Sequence, residues 1–305
     1  MPAIQADRVS LEYESLGNPA DPVILLIMGQ GMQMILWPDA LCEMLAAKGF
    51  RVVRFDNRDV GLSTQFDHLG TPRIGLETIK YLLRLPVKAP YLIDDMARDT
   101  AGLLDALGIP RAHVVGASMG GMIAQNLAAD FPDKVATLTS IMSTTGNRKL
   151  PQPTAKARRA LLTPPARRGD IEGATRRMVS VLRDIGSVTH PAEEGYLRDL
   201  CERQVKRAHN PAGIARQLVA IAASGDRTKV VRRIRVPTLV IHGDEDPLVR
   251  LACGEETARV IREGGGVARV EIVKGMGHDL PVPLLPRIAE LIVAHAGNGG
   301  KSWRG

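Results

Sequence analysis

Ala112-His113-Val114-Val115-Gly116-Ala117-Ser118-Met119-Gly120-Gly121 carries the clearest structural signal in the chain. The run from Ala112 to Gly116 reads as a strand buried on both faces, and a helix is expected from Met119 to about Asp130. Between them stands a serine with glycine two residues before it and two after, the pattern G-x-S-x-G. On its own this pattern is weak, because glycines flank serines in many loops, and a tight turn that only needs small residues would look the same. The strand immediately before and the helix immediately after supply the missing context. A serine on such a sharp turn projects its hydroxyl from the end of the sheet, and the next backbone N–H lies at a helix N-terminus facing any developing negative charge.

Outward from this stretch, short β-branched runs alternate with helical periods. Val23 to Ile27, Arg51 to Phe55, Val135 to Met142, Thr238 to Ile241 and Arg269 to Val273 read as strands. Helices are expected from Pro38 to Lys48, Asp94 to Leu107 with Asp94 as N-cap, and Pro283 to His295. The alternation argues for a mostly parallel sheet with helices on both faces, and Val9 to Glu14 for an antiparallel edge hairpin. One stretch breaks it. From about Asn147 to Val231 no strand pattern appears, only helical periods marked by Met178 and Leu182, by Leu197, Leu200 and Val205, and by Ile214, Leu218 and Ile221. This predicts a core of residues 1–146 and 232–305 with a helical cap at 147–231. The Gly-rich tail from Gly297 is expected to fray.

Composition narrows the function classes. The chain of 305 residues is 45% hydrophobic and 24% charged, ordinary for a globular protein with a sizeable core. Its net charge of +7 comes from scattered arginines rather than basic blocks interleaved with aromatics, which argues against nucleic acid. Three widely spaced cysteines, Cys42, Cys201 and Cys253, lack metal-ligand spacing and fit a reducing compartment. With no apolar leader and no run long enough to span a bilayer, a cytoplasmic location is expected. No metal or nucleotide motif emerges, so no cofactor is expected.

A serine hydroxyl needs a base. Of seven histidines, His278 stands in a glycine-rich loop just after the last strand, which opens at the same sheet end as Ser118. His113 begins a strand and faces the other end; His242 reads as structural; His68, His190, His209 and His295 read as solvated or packing residues. The acid that orients the base is sought in Asp244-Glu245-Asp246-Pro247 after the preceding strand. Asp246 is favoured because Pro247 fixes a turn beyond it, and Asp244 is the alternative. The order Ser118, Asp246, His278 then matches that of a serine nucleophile with its acid and base on an α/β sheet. An oxyanion site is expected from the backbone N–H groups of Met119 and Gln30, the latter in the loop Met28-Gly29-Gln30-Gly31-Met32. Met28, Met32, Trp37 and Leu248 are candidate pocket residues. Met34 and Met119 could equally belong to the core, and Asp56-Asn57-Arg58-Asp59 reads as a structural turn.

Together these segments, with Phe55 to Ser63, His242 to Pro247 and Gly275 to Asp279, resemble the α/β-hydrolase superfamily, and within it bacterial ester hydrolases of the aclacinomycin methylesterase-like group. The resemblance implies a sheet of about eight strands with a cap inserted after the sixth. It also implies Ser118, Asp246 and His278 as the catalytic triad. Two positions depart from the superfamily pattern: Met28-Gly29 stands where His-Gly is frequent, and Asp59 where Gly is usual.

The expected activity is ester hydrolysis through an acyl-enzyme, on a small-molecule ester. Lactone opening, carbon–carbon hydrolysis and cofactor-free perhydrolase or haloperoxidase chemistry can use the same three residues. A hydrolase-like binding protein with slow turnover is the alternative from another class.

Overall fold

Among the described residues, eight strands form one sheet: β1 (Ala3–Ala6), β2 (Val9–Leu16), β3 (Val23–Ile27), β4 (Arg51–Phe55), β5 (Ala112–Ala117), β6 (Val135–Ile141), β7 (Thr238–Gly243) and β8 (Ala268–Val273). Their spatial order is β1-β2-β4-β3-β5-β6-β7-β8. The computed structural model describes residues 2–163, 166–167 and 169–297. Pro164 and Pro165, and the tail beyond Gly297, lie outside them. β1 and β2 form the expected antiparallel edge hairpin, β2 also runs antiparallel to β4, and every later pairing is parallel.

The uninterrupted apolar run of β3 has a two-sided explanation. Val23, Leu25 and Ile27 pack with Ile93, Met96, Ile123 and Leu127, from helices α3 (Ile93–Ala106) and α4 (Met119–Asp130). Ile24 and Leu26 pack on the opposite face with Leu41, Leu45, Ile288 and Ile292, from α1 (Asp39–Ala46) and α11 (Leu285–Gly297). Side chains alternate across a strand, so each residue of such a run must be apolar. Trp37, expected at a pocket, belongs instead to this second cluster and is fully buried. It stands between the short 3-10 turn Met34–Leu36 and Pro38 at the head of α1. A second correction concerns α3: Asp94 does not cap it. Asp95 reaches back instead, its Oδ2 accepting the Leu92 N–H at 2.7 Å, while Asp94 pairs with Arg98.

Between β6 and β7 the chain forms α5 (Ala155–Leu162), α6 (Ile171–Ile185), α7 (Glu194–Arg207), α8 (Pro211–Ser224) and the short α9 (Thr228–Val231). The three expected helical periods are α6, α7 and α8; α5 was not foreseen, nor was α2 (Ile74–Leu82), between β4 and α3. The remaining helix, α10 (Leu251–Glu263), links β7 to β8.

The turn after β4 explains one of the departures noted in the sequence. Asp59 has φ +67°, the left-handed region that favours glycine. What the aspartate adds is its carboxylate. Oδ2 accepts Arg216 Nε at 2.8 Å and the Tyr91 hydroxyl at 2.7 Å, while Oδ1 accepts Arg216 Nη2 at 2.7 Å and the Phe66 N–H at 2.8 Å. Arg216 lies on α8 and both side chains are fully buried, so this bidentate pair joins the inserted helices to the sheet. Arg216→Met should lower stability by about 3–5 kcal/mol in urea unfolding, because the Asp59 carboxylate is left buried without its partner. Adding Asp59→Gly should recover part of that loss, since it removes the orphaned charge and relaxes the backbone.

Candidate active site

Parallel pairing brings the carboxyl ends of β3, β5, β6, β7 and β8 to one edge of the sheet. Ile27 lies opposite Gly116, Ala117 opposite Ile141, Ile141 opposite Ile241, and Gly243 opposite Val273. Ser118 directly follows β5, and the loops bearing Asp246 and His278 follow β7 and β8. β3 and β5 are neighbours although β4 separates them in the chain. The crevice at such a reversal of strand order is where open α/β sheets bind ligands.

Ser118 has φ +55° and ψ −118°, a strained backbone for any residue but glycine. Its surroundings hold it there. The Ser118 N–H donates to the Ile141 carbonyl at 2.9 Å, and its own carbonyl accepts from Ser143 Oγ at 2.7 Å. Two of the motif's glycines are required by close approach rather than by their own dihedrals. A Cβ on Gly116 would lie 2.2 Å from the Gly120 carbonyl oxygen, and one on Gly120 would lie 2.0 Å from that of Ile27.

The three side chains singled out in the sequence meet. His278 Nδ1 lies 2.8 Å from Asp246 Oδ2, and His278 Nε2 lies 2.9 Å from Ser118 Oγ. Asp246 can only accept from the ring, so Nδ1 carries the proton and Nε2 is free to accept from the hydroxyl. The other carboxylate oxygen, Oδ1, accepts the N–H groups of Leu248 and Val249, both at 2.8 Å. Pro247 sits inside this turn. Burial alone would push the Asp246 carboxyl up, but the His278 and His242 rings outweigh it and hold the group well below the usual carboxylate range. Asp244, the alternative the sequence offered, instead accepts the Gly275 N–H at 2.8 Å and clasps the loop that bears His278.

The remaining histidines separate as their sequence positions imply, with two additions. His113 bonds Thr137 Oγ1 at 2.9 Å, and burial lowers its basicity. Burial brings His295 down to about 4. His242 is buried and donates Nε2–H to the Val249 carbonyl at 2.7 Å, but that nitrogen also lies 3.5 Å from Asp246 Oδ2. His190 lines the cavity described below. The sequence offered no signal for either contact.

The loop after β3 lies against the serine: a Cβ on Gly29 would be 3.3 Å from Ser118 Cβ. Asn57 Nδ2 fixes the loop by donating to the Met28 carbonyl at 3.0 Å. The Met119 N–H opens α4, where it has no carbonyl four residues back to bond. Gln30 and Met119 thus flank Ser118 from two adjacent strand ends.

A cavity of about 1000 Å³ opens onto Ser118 and His278. Met28, Met32 and Leu248 line it, while Trp37 does not. Met34 and Met119 are fully buried core residues. The far wall comes from the inserted helices, including Met178, Val181, Leu182, Leu197 and Leu218.

These helices grip the site through contacts that no local sequence pattern signals. On one side, Gln217 Oε1 accepts the Gly31 N–H at 2.7 Å, and Gln30 Nε2 donates to the Ile214 carbonyl at 2.9 Å. Arg207 Nη1 lies 2.6 Å from both Gln33 Oε1 and Asp56 Oδ2. On the other side, Glu245 Oε2 accepts the Val188 and Thr189 N–H groups, at 2.8 and 2.9 Å, and Asp279 Oδ1 accepts Ser187 Oγ at 2.6 Å. Each carboxylate is the sequence neighbour of Asp246 or His278. Among the described residues, no group of three His, Cys, Asp or Glu side chains could hold a metal ion.

The chain matches the α/β-hydrolase fold family over residues 22–281. It is 31% identical to rhodomycin D methylesterase DauP of Streptomyces sp. (strain C5), over 96% of each chain. Rhodomycin D methylesterase DnrP of Streptomyces peucetius is 30% identical over the same shares. Among solved structures, the enol-lactonase of Burkholderia xenovorans LB400 superposes with a TM-score of 0.68 at 22% identity, covering 96% of this chain and 98% of its own.

The close approaches around Ser118 make a direct stability test. Gly116→Ala and Gly120→Ala should each cost about 3 kcal/mol or more in chemical denaturation, because the new methyl meets backbone that cannot move aside. Gly75→Ala, in α2 with nothing near its added Cβ, should be neutral or stabilise by roughly 0.5–1 kcal/mol.

Proposed function

Since the chain belongs to the α/β-hydrolase family, we propose that it is a serine carboxylic ester hydrolase with Ser118 as nucleophile, His278 as base and Asp246 as the acid that orients it. The observation that carries this reading is the unbroken hydrogen-bond chain from Ser118 Oγ through His278 to Asp246 at the floor of the cavity. Ser118 Oγ attacks the ester carbonyl as its proton passes to His278 Nε2. Asp246, already ionised and held by two backbone amides, steadies the imidazolium without taking its proton. The tetrahedral oxyanion is received by the N–H groups of Met119 and Gln30. His278 then protonates the departing alcohol, and water, activated by the same base, releases the acid from Ser118.

Residues 1–146 and 232–305 supply this machinery as the core, and the cap at 147–231 shapes the substrate. An apolar wall and the size of the cavity favour a small-molecule ester with a bulky apolar acid part. The methylesterase relatives support a small alcohol as leaving group. Three free, buried cysteines support a reducing, cytoplasmic setting.

Initial rates on p-nitrophenyl esters of graded acyl length, and on methyl esters of apolar acids, test the reading. Turnover should be sustained in the wild type and fall by about four to six orders of magnitude in Ser118→Ala. No turnover on any ester, or turnover that survives the substitution, would sink it; a lactone in the same panel separates ring opening from simple ester cleavage. Gln217→Leu, which frees the Gly31 N–H beside the oxyanion site, should lower kcat by about ten- to a hundredfold while KM changes much less.

A further inference from the structure

The outer surface of α2 has a composition that the ester-hydrolase reading does not use. Leu76, Ile79 and Leu83 recur at helical spacing on its solvent side, 45%, 55% and 66% exposed, and Leu82 and Leu85 beside them are 66% and 52% exposed. The inner side carries Ile74 and Thr78, which line the cavity, and Glu77, which is buried. Isolated exposed leucines are ordinary, but five large apolar side chains within ten residues form a contiguous patch.

The patch is held in shape. After Leu82 the chain turns sharply at Arg84, whose φ is +59°, closed by Leu85 N–H donating to the Lys80 carbonyl at 2.8 Å. Arg148 stacks 4.2 Å over the Tyr81 ring and donates to the Tyr81 carbonyl at 2.5 Å, fastening the inner side. Leu83 and Leu85 are thus presented by a built turn rather than a frayed end.

Charge identifies the partner. From Arg73 to Lys88 the segment carries four cations, Arg73, Lys80, Arg84 and Lys88, against one carboxylate. That carboxylate, Glu77, is already taken by Lys80 at 2.6 Å and by the Lys88 N–H. Arg73, Arg84 and Lys88 are exposed around the leucines. Apolar side chains ringed by unneutralised cations fit a surface with an acyl interior and anionic headgroups. Among the described residues no helix is long and apolar enough to cross a membrane, so contact would be along the surface. Leu162 and Val282 also line the cavity and are themselves exposed, 44% and 55%, which places its mouth among apolar groups as well.

We propose that α2 and the turn at Arg84 dock this protein onto anionic lipid surfaces, with the cavity mouth facing the lipid. Leu82 and Leu83 enter the acyl boundary, and Arg73, Arg84 and Lys88 meet the headgroups. This claim stands apart from the ester-hydrolase reading, because it is read by binding and not by turnover.

The test is co-sedimentation of the full chain with vesicles of phosphatidylcholine mixed with phosphatidylglycerol, and with phosphatidylcholine alone. The wild type should partition onto the mixed vesicles and bind the neutral ones weakly, with binding that weakens as salt rises. Leu82→Ser/Leu83→Ser should lower partitioning by about tenfold or more, with an unchanged thermal unfolding midpoint as the check on folding. Arg84→Glu/Lys88→Glu should remove the preference for the anionic vesicles. Wild-type protein that stays in the supernatant, or variants that bind as well as the wild type, would overturn the proposal. So would sedimentation showing a dimer that Leu82→Ser/Leu83→Ser dissolves, since the patch would then belong to a second copy of the chain.

Discussion

Everything at the site hangs on the contact between the start of α4 and the end of β3. The helix comes so close that Gly120 faces the Ile27 carbonyl with no room for a side chain. That approach forces the chain to reverse within one residue, and Ser118 absorbs the reversal in a left-handed backbone. Because β3 and β5 are paired with Ile27 opposite Gly116, the same contact lays the loop after β3 alongside the serine. Strain at one residue persists where the packing around it over-determines the conformation. Here the over-determination comes from β6 as well, through the Ile141 carbonyl and the Ser143 hydroxyl.

The second dependency is electrostatic. Inserted helices sitting on apolar contacts alone could slide, and directional bonds prevent that. The inserted helices and their loops are pinned through Asp59 to Arg216, Asp56 to Arg207, Glu245 to the Val188 and Thr189 N–H groups, and Asp279 to the Ser187 hydroxyl and N–H. The two arginine–aspartate pairs are buried, and such pairs are weak sources of net stability but demand one geometry, since every alternative leaves a charge unpaired. The Glu245 and Asp279 contacts adjoin Asp246 and His278, and Gln217 holds the loop after β3. The cavity wall and the Ser118–His278–Asp246 chain are therefore held in one bonded frame.

Asp59 shows how a departure from a family pattern becomes intelligible. As a sequence feature it is only an aspartate where glycine is usual. In the fold it occupies a left-handed position at some backbone cost and returns a bidentate anchor for α8.

Periodicity and punctuation carried most of the architecture. The apolar runs of β3, β5 and β7, the glycines about Ser118 and the order of Ser118, Asp246 and His278 were legible because each reflects a local rule: strand alternation, a turn that excludes side chains, a loop after a strand. Trp37 was misplaced because an indole beside a proline reads alike at a pocket wall and in a core, and only the turn before α1 decides between them. α2 escaped notice because its leucines face solvent, against the expectation that apolar periods mark a buried face. Asp56, Asp59 and Gly31, bonded by Arg207, Arg216 and Gln217 respectively, lie more than 150 residues away along the chain. No local pattern encodes such pairings. Local patterns in the chain mark the loops of Ser118, Asp246 and His278 and the kind of element that precedes each. How the helices between β6 and β7 lie over those loops follows from tertiary structure, since a hydrogen bond between distant segments exists only once the sheet has brought their backbones into register.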